Sequence, residues 1–66
     1  MEILKDRQGR PIAQLIMETN GDVLMNDKNG RRIGFMRDGD TYNAQGQVIG
    51  RNANLLGTLI RPYEDQ

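Results

Sequence analysis

The sequence predicts an all-β fold of antiparallel β-hairpin repeats, about six or seven short strands in one domain spanning residues 1–66. Two observations carry that prediction. One pattern occurs three times, as Asp6-Arg7-Gln8-Gly9-Arg10-Pro11-Ile12-Ala13, Asp27-Lys28-Asn29-Gly30-Arg31-Arg32-Ile33-Gly34 and Asn43-Ala44-Gln45-Gly46-Gln47-Val48-Ile49-Gly50. Further turn signals, Asn20-Gly21-Asp22 and Asp38-Gly39-Asp40, punctuate the apolar runs between the copies. Turn-bounded runs of a few residues suit strands better than helices.

Each position of the repeat has a physical reason. Asp6, Asp27 and Asn43 open their turns because a short carboxylate or amide accepts a hydrogen bond from the backbone two residues on. Gly9, Gly30 and Gly46, three residues later, supply the positive φ that closes a type I turn with a bulge. The Ile that follows suits a half-buried face of the returning strand. On simple alternation the Ala or Gly beside it points to the other face, and its small size suggests that another group approaches closely there.

The first strand, Glu2-Ile3-Leu4-Lys5, enters the Asp6–Gly9 turn, and the chain returns through residues 10–19. Pro11 has no N–H to give a ladder, so it belongs where its nitrogen faces outward or at a bulge. Alternation puts Ile12 and Ile16 on one face of this strand and Ala13, Leu15 and Met17 on the other. A competing reading makes Ile12–Glu18 an amphipathic helix, with Pro11 at its start and Asn20-Gly21 at its stop. The second repeat runs through Val23-Leu24-Met25-Asn26, the central turn and Arg31–Arg37. There alternation places Arg31, Ile33, Phe35 and Arg37 on one face and Arg32, Gly34 and Met36 on the other. Thr41-Tyr42-Asn43 leads into the third hairpin, which returns as Gln47–Arg51. The repeats thus occupy about 3–19, 23–38 and 41–52.

Two readings stay open for the last stretch. Leu56-Gly57-Thr58-Leu59-Ile60 matches Ile12-Ala13-Gln14-Leu15-Ile16 position by position, which would make 54–61 a degenerate fourth copy. Alternatively, Asn52 or Asn54 caps a short helix at 53–60 with Leu55, Leu56, Leu59 and Ile60 at helical spacing. On either reading Arg61-Pro62 is the expected end of the element, with Tyr63–Gln66 a frayed acidic tail.

The Asp/Asn-x-x-Gly-x-x-Ile-Gly units, over about residues 3–60, resemble those of small bacterial proteins of unknown function built from tandem β-hairpins, including the beta-flower type. The resemblance implies an all-β fold and brings no catalytic residue or cofactor. Only three copies are clear, and their spacing is unequal, 21 residues and then 16 between the turn glycines.

Composition bounds the function. A chain of 66 residues buries only about 60% of its unfolded surface, and this one has no Cys and no His for a disulfide or zinc staple. Apolar residues on both strand faces then need cover from outside the chain, and self-association is the simplest source. Nine basic and nine acidic residues cancel, so no global field favours nucleic acid or an anionic membrane. No basic-then-apolar leader and no long apolar run are visible, which makes the cytoplasm the default expectation.

An enzyme is not expected. The chain has no Ser, Cys or His, and Thr19, Thr41 and Thr58 have no activating base nearby in sequence. Asp38 and Asp40 flank a turn glycine, where acids are usually turn residues. A calcium loop needs several oxygen ligands, yet Lys28 sits inside the nearest candidate. No catalytic, cofactor or metal residue is therefore assigned. The leading expectation is an association module, a homo-oligomer that can also bind another protein. The alternative is a single-strand nucleic-acid binder using the basic stretch Lys28–Arg51, with Arg31, Arg32, Phe35, Arg37, Tyr42 and Arg51 as contacts.

Overall fold

In a computed structural model describing residues 1–64, the chain forms a six-stranded antiparallel sheet and one C-terminal helix. The strands are β1 (Glu2–Lys5), β2 (Pro11–Met17), β3 (Val23–Asp27), β4 (Arg32–Arg37), β5 (Asp40–Asn43) and β6 (Val48–Gly50), followed by α1 (Leu56–Glu64). They lie side by side in chain order, each joined to the next by a hairpin. The region of Ile12 to Glu18 is thus strand and turn, and the helical alternative there does not hold.

The three repeat turns share one set of bonds. In the central one the Gly30 N–H donates to the Asp27 carbonyl at 3.0 Å and the Asp27 N–H donates to the Arg31 carbonyl at 2.7 Å. Asp27 Oδ1 accepts from the N–H groups of Asn29 and Arg31, both at 2.9 Å. Asp6 and Asn43 accept from the equivalent donors in their own turns. The glycines have φ of 81°, 87° and 83° at Gly9, Gly30 and Gly46. Glu18–Gly21 makes the same backbone turn at the opposite end of the sheet, with Gly21 donating to the Glu18 carbonyl at 3.0 Å. The hairpin from β4 to β5 is tighter: Asp38 and Gly39 have φ of 54° and 85°, the double positive φ of a type I′ loop.

Each repeat also contains a β-bulge, and its extra residue is the repeat's Ile. Between the pairs Leu4↔Ala13 and Lys5↔Pro11, Ile12 has no partner. Ile33 is left over between Met25↔Gly34 and Asn26↔Arg32, and Ile49 between Thr41↔Gly50 and Tyr42↔Val48. A bulge interrupts alternation, so the face assignments expected for these strands need correcting. Ile12 packs with Ala13 rather than opposite it, and Ile33 lies buried with Gly34 instead of sharing a face with Phe35.

The small residue after each Ile makes room for the C-terminal segment. A Cβ on Gly34 would lie 2.5 Å from Leu59 Cδ1 and 2.7 Å from the Tyr42 carbonyl oxygen. One on Gly50 would come 2.6 Å from Leu55 Cδ1. Helix α1 lies across this face, and its Leu56 and Ile60 complete a buried core with Ala13, Met25 and Ile33. Leu4, Leu15, Val23, Met36, Leu59 and Tyr63 pack around it.

The last stretch is therefore a helix, and no return strand of a fourth copy exists at 54–61. Asn54 Oδ1 accepts from the Leu56 N–H at 3.0 Å, which satisfies one donor at the helix start. Pro62 does not end the element, since α1 continues to Glu64. Tyr63 is a core-packed residue and Glu64 the last residue of the helix, so neither is part of a frayed tail, while positions 65–66 of the expected tail lie outside the described residues. The link from β6 to α1 is tied back by buried Thr41, whose hydroxyl donates to the Ala53 carbonyl at 2.6 Å and accepts from the Leu55 N–H at 3.0 Å.

Candidate functional site

The helix covers one face of the sheet, and the register shows what the other face carries. Ile16 pairs with Leu24, Leu24 with Phe35, Phe35 with Tyr42 and Tyr42 with Val48. Directly paired residues project from the same side, so these five form one apolar row running from β2 to β6. None of them belongs to the core under the helix. Phe35 and Tyr42 stack with ring centroids 4.7 Å apart and planes 7° from parallel. The Arg37 guanidinium carbon sits 5.4 Å from the Phe35 centroid, within reach of a cation–π attraction.

Mostly polar rows border the apolar one on both sides, although exposed Ile3 of β1 pairs with Gln14 in the one nearer the repeat turns. Toward the repeat turns, Gln14 pairs with Asn26 and Asn26 with Arg32, whose Nε donates to Asn26 Oδ1 at 2.7 Å. Toward the other end run Glu18, Asp22, Arg37, Asp40 and Arg51. Arg37 Nε donates to Asp22 Oδ2 at 3.0 Å, and Arg51 Nη1 lies 3.7 Å from Asp40 Oδ2. The Asp22 side chain is only 9% exposed, so Arg37 is the counter-ion of a nearly buried carboxylate. An apolar strip with a polar rim is the anatomy of a protein interface.

Of the residues expected to contact nucleic acid, Arg32, Phe35, Arg37 and Tyr42 come together on this face. Arg31 sits apart at the end of its turn, where its N–H closes the Asp27 cap. Arg51 sits at the far rim, against Asp40. Two of the arginines are thus already paired with carboxylates. Sequence reasoning did not single out Ile16, Leu24 and Val48. Their signal was present in the apolar residues on both faces of the strands, but the partners could be matched only once the bulges fixed the register.

Asp6, Gly9, Asp27, Gly30, Asn43 and Gly46 all lie at one end of the sheet, in the three repeat turns. A cleft of about 110 Å³ opens there between the first two turns, against Ile12, Lys28 and Tyr63. That is well short of the roughly 300 Å³ at which small-molecule sites begin. A wider groove of about 410 Å³ beside the first turn is lined by Lys5, Asp6, Arg7, Gln8 and Glu64 and has no apolar wall. The Asp6 carboxyl is held below the usual carboxylate range, first by the Arg10 backbone N–H and also by the Arg10 guanidinium and the Gln8 N–H. Its acceptor sites serve its own turn. Among the described residues no group of three or more acidic side chains could hold a metal ion, and no helix is long and apolar enough to cross a membrane.

No family model matches this chain, and neither a curated protein nor a solved structure does.

Proposed function

We propose that this chain is a non-enzymatic β-hairpin-repeat module, of the tandem-hairpin, beta-flower-like kind, that works by association with itself and with another protein. The observation that carries the reading is the open row Ile16–Leu24–Phe35–Tyr42–Val48. Burying such a row is favourable by about 25 cal/mol per Å² of apolar surface, and no element among the described residues lies over it. The paired charges on the rim stay satisfied when water leaves, which lowers the cost of closing the face.

Molar mass in solution at micromolar concentration tests the reading. The parent is expected as an oligomer, while Phe35→Asp, which places a carboxylate in the middle of the row, is expected at the mass of one chain with its circular dichroism retained. A parent that is monomeric and melts at high temperature overturns the proposal.

The stacked rings beside Arg32 and Arg37 support a second reading, binding of single-stranded nucleic acid. Binding of that kind weakens steeply with salt. Arg32→Gln is the variant to use, because removing Arg37 strips Asp22 of its counter-ion. An oligonucleotide that stays unbound at low salt eliminates this reading.

A further inference from the structure

We propose that Asn29 is a site of spontaneous modification: in the folded chain the Gly30 backbone nitrogen attacks its side-chain amide, and the central turn ends up carrying aspartate or isoaspartate.

The chemistry needs an asparagine whose following residue leaves its nitrogen unshielded. Asn20 and Asn29 precede glycine, whereas Asn26, Asn43, Asn52 and Asn54 precede residues with a Cβ that crowds the approach. The step balances with water as the one co-reactant. The Gly30 N–H gives its proton to solvent base, the nitrogen bonds to Asn29 Cγ, and the Cγ–N bond of the amide breaks to release ammonia. The five-membered imide left behind takes up one water. Opening at Cγ yields aspartate. Opening at the backbone carbonyl yields isoaspartate, which adds a carbon to the main chain inside a turn that has no slack for it.

The two Asn-Gly pairs form a matched comparison. Each occupies the third and fourth positions of a turn, each glycine N–H donates to the turn's first carbonyl at 3.0 Å, and φ is 95° at Gly21 and 87° at Gly30. A Cβ on either glycine would meet nothing within 4 Å, so the space around both is open. Attack at either pair needs the same turn bond to open, and exposed turns lie at the low-cost end of native-state opening. The side chains differ. Asn20 Oδ1 accepts from the Asp22 N–H at 3.0 Å, and Asp22 is itself buried and held by Arg37, so that amide is tied down. Asn29 is exposed, and its side chain bonds to no group among the described residues; its backbone N–H alone is engaged, by Asp27 Oδ1.

The surrounding charges act in the same direction. The step passes through a deprotonated nitrogen and then an oxyanion, which cations stabilise and carboxylates disfavour. Lys28 and Arg31 flank the Asn29 pair, with Asp27 the carboxylate beside them, and neither cation is ion-paired among the described residues. The Asn20 pair lies between Glu18 and Asp22, and the nearby Arg37 is taken up by Asp22. Asn29 also sits on a repeat turn, away from the open apolar row, so association through that row leaves it in water.

Time-resolved peptide mapping tests the site. The full chain is kept folded in mildly alkaline buffer, a second sample is kept unfolded in urea, and aliquots are digested with pepsin in acid and read by fragment mass spectrometry. In the folded chain, acid is expected at Asn29 several-fold faster than at Asn20, with a smaller gap between the two in urea. Equal rates in the folded chain, conversion led by Asn20, or a gap no larger folded than unfolded overturns the proposal. So does an Asn29 that stays intact in the folded chain while its unfolded counterpart converts.

Discussion

At the scale of single residues, the hairpins depend on backbone angles that few side chains tolerate. A Cβ on Gly30 would meet nothing within 4 Å, so its φ of 87° is the whole reason for glycine there. Gly30→Val forces a β-branched residue into that region at about 1–3 kcal/mol, which for a domain this small lowers Tm by roughly 4–8 degrees per kcal/mol. Gly9→Val and Gly46→Val should match it, and Gly39→Asn should be mild. A loss of under about one degree at Gly30 in thermal unfolding would contradict this. Asp6 gives a prediction in pH. Because its carboxyl ionises below the ordinary value of 3.8 in the folded chain, its contribution is complete above that pH and is lost as pH falls through the lower, folded value. Asp6→Asn keeps the acceptor, as Asn43 does in the third turn, so its Tm should sit near the parent's and fall less steeply below pH 3.8. Parallel acid limbs for the two proteins would argue against that role.

At the scale of elements, the helix and the repeat glycines were fitted to each other. Gly34→Ala would put a methyl group into Leu59 and the Tyr42 carbonyl, and overpacking of this kind costs about 1–3 kcal/mol. Leu59 can turn aside, but the Tyr42 carbonyl belongs to the neighbouring strand β5 and cannot, so the pairing of β4 with β5 should loosen and lose protection in hydrogen exchange before the rest of the sheet does. Gly57→Ala is the control on the same helix. Nothing lies within 4 Å of its would-be Cβ, and alanine there should add about 0.5–1 kcal/mol. Shifts of opposite sign in chemical denaturation, the loss at Gly34 larger than the gain at Gly57, are the signature to look for. If Gly34→Ala were neutral, close helix–sheet packing at this strand would have to be abandoned.

For the whole molecule, one layer of helix on a six-stranded sheet leaves half of a sandwich open. If a second copy supplies the other half, folding and association are linked, and Tm should climb as protein concentration is raised from about 1 to 100 micromolar. Phe35→Asp should remove that dependence. A parent whose Tm ignores concentration would place the open face in water, and the association reading would fail with it.

The turns were legible from local chemistry alone, because Asp or Asn at the first position and Gly at the fourth encode a backbone path that needs no distant partner. The hairpin order and the all-β class followed from the same signals. The bulges left a trace as well: Ile beside Ala or Gly in all three copies breaks the alternation of apolar and polar residues, yet alternation alone assigned the two to opposite faces. Two matters were decided only in three dimensions. Residues 54–61 fit a strand or a helix equally well by pattern, and what selected the helix was the trough at Ala13, Gly34 and Gly50, closed over by Thr41's hold on Ala53 and Leu55. The open row was likewise hidden, since Ile16, Leu24, Phe35, Tyr42 and Val48 lie on separate strands and become neighbours only through a register that each bulge shifts by one residue.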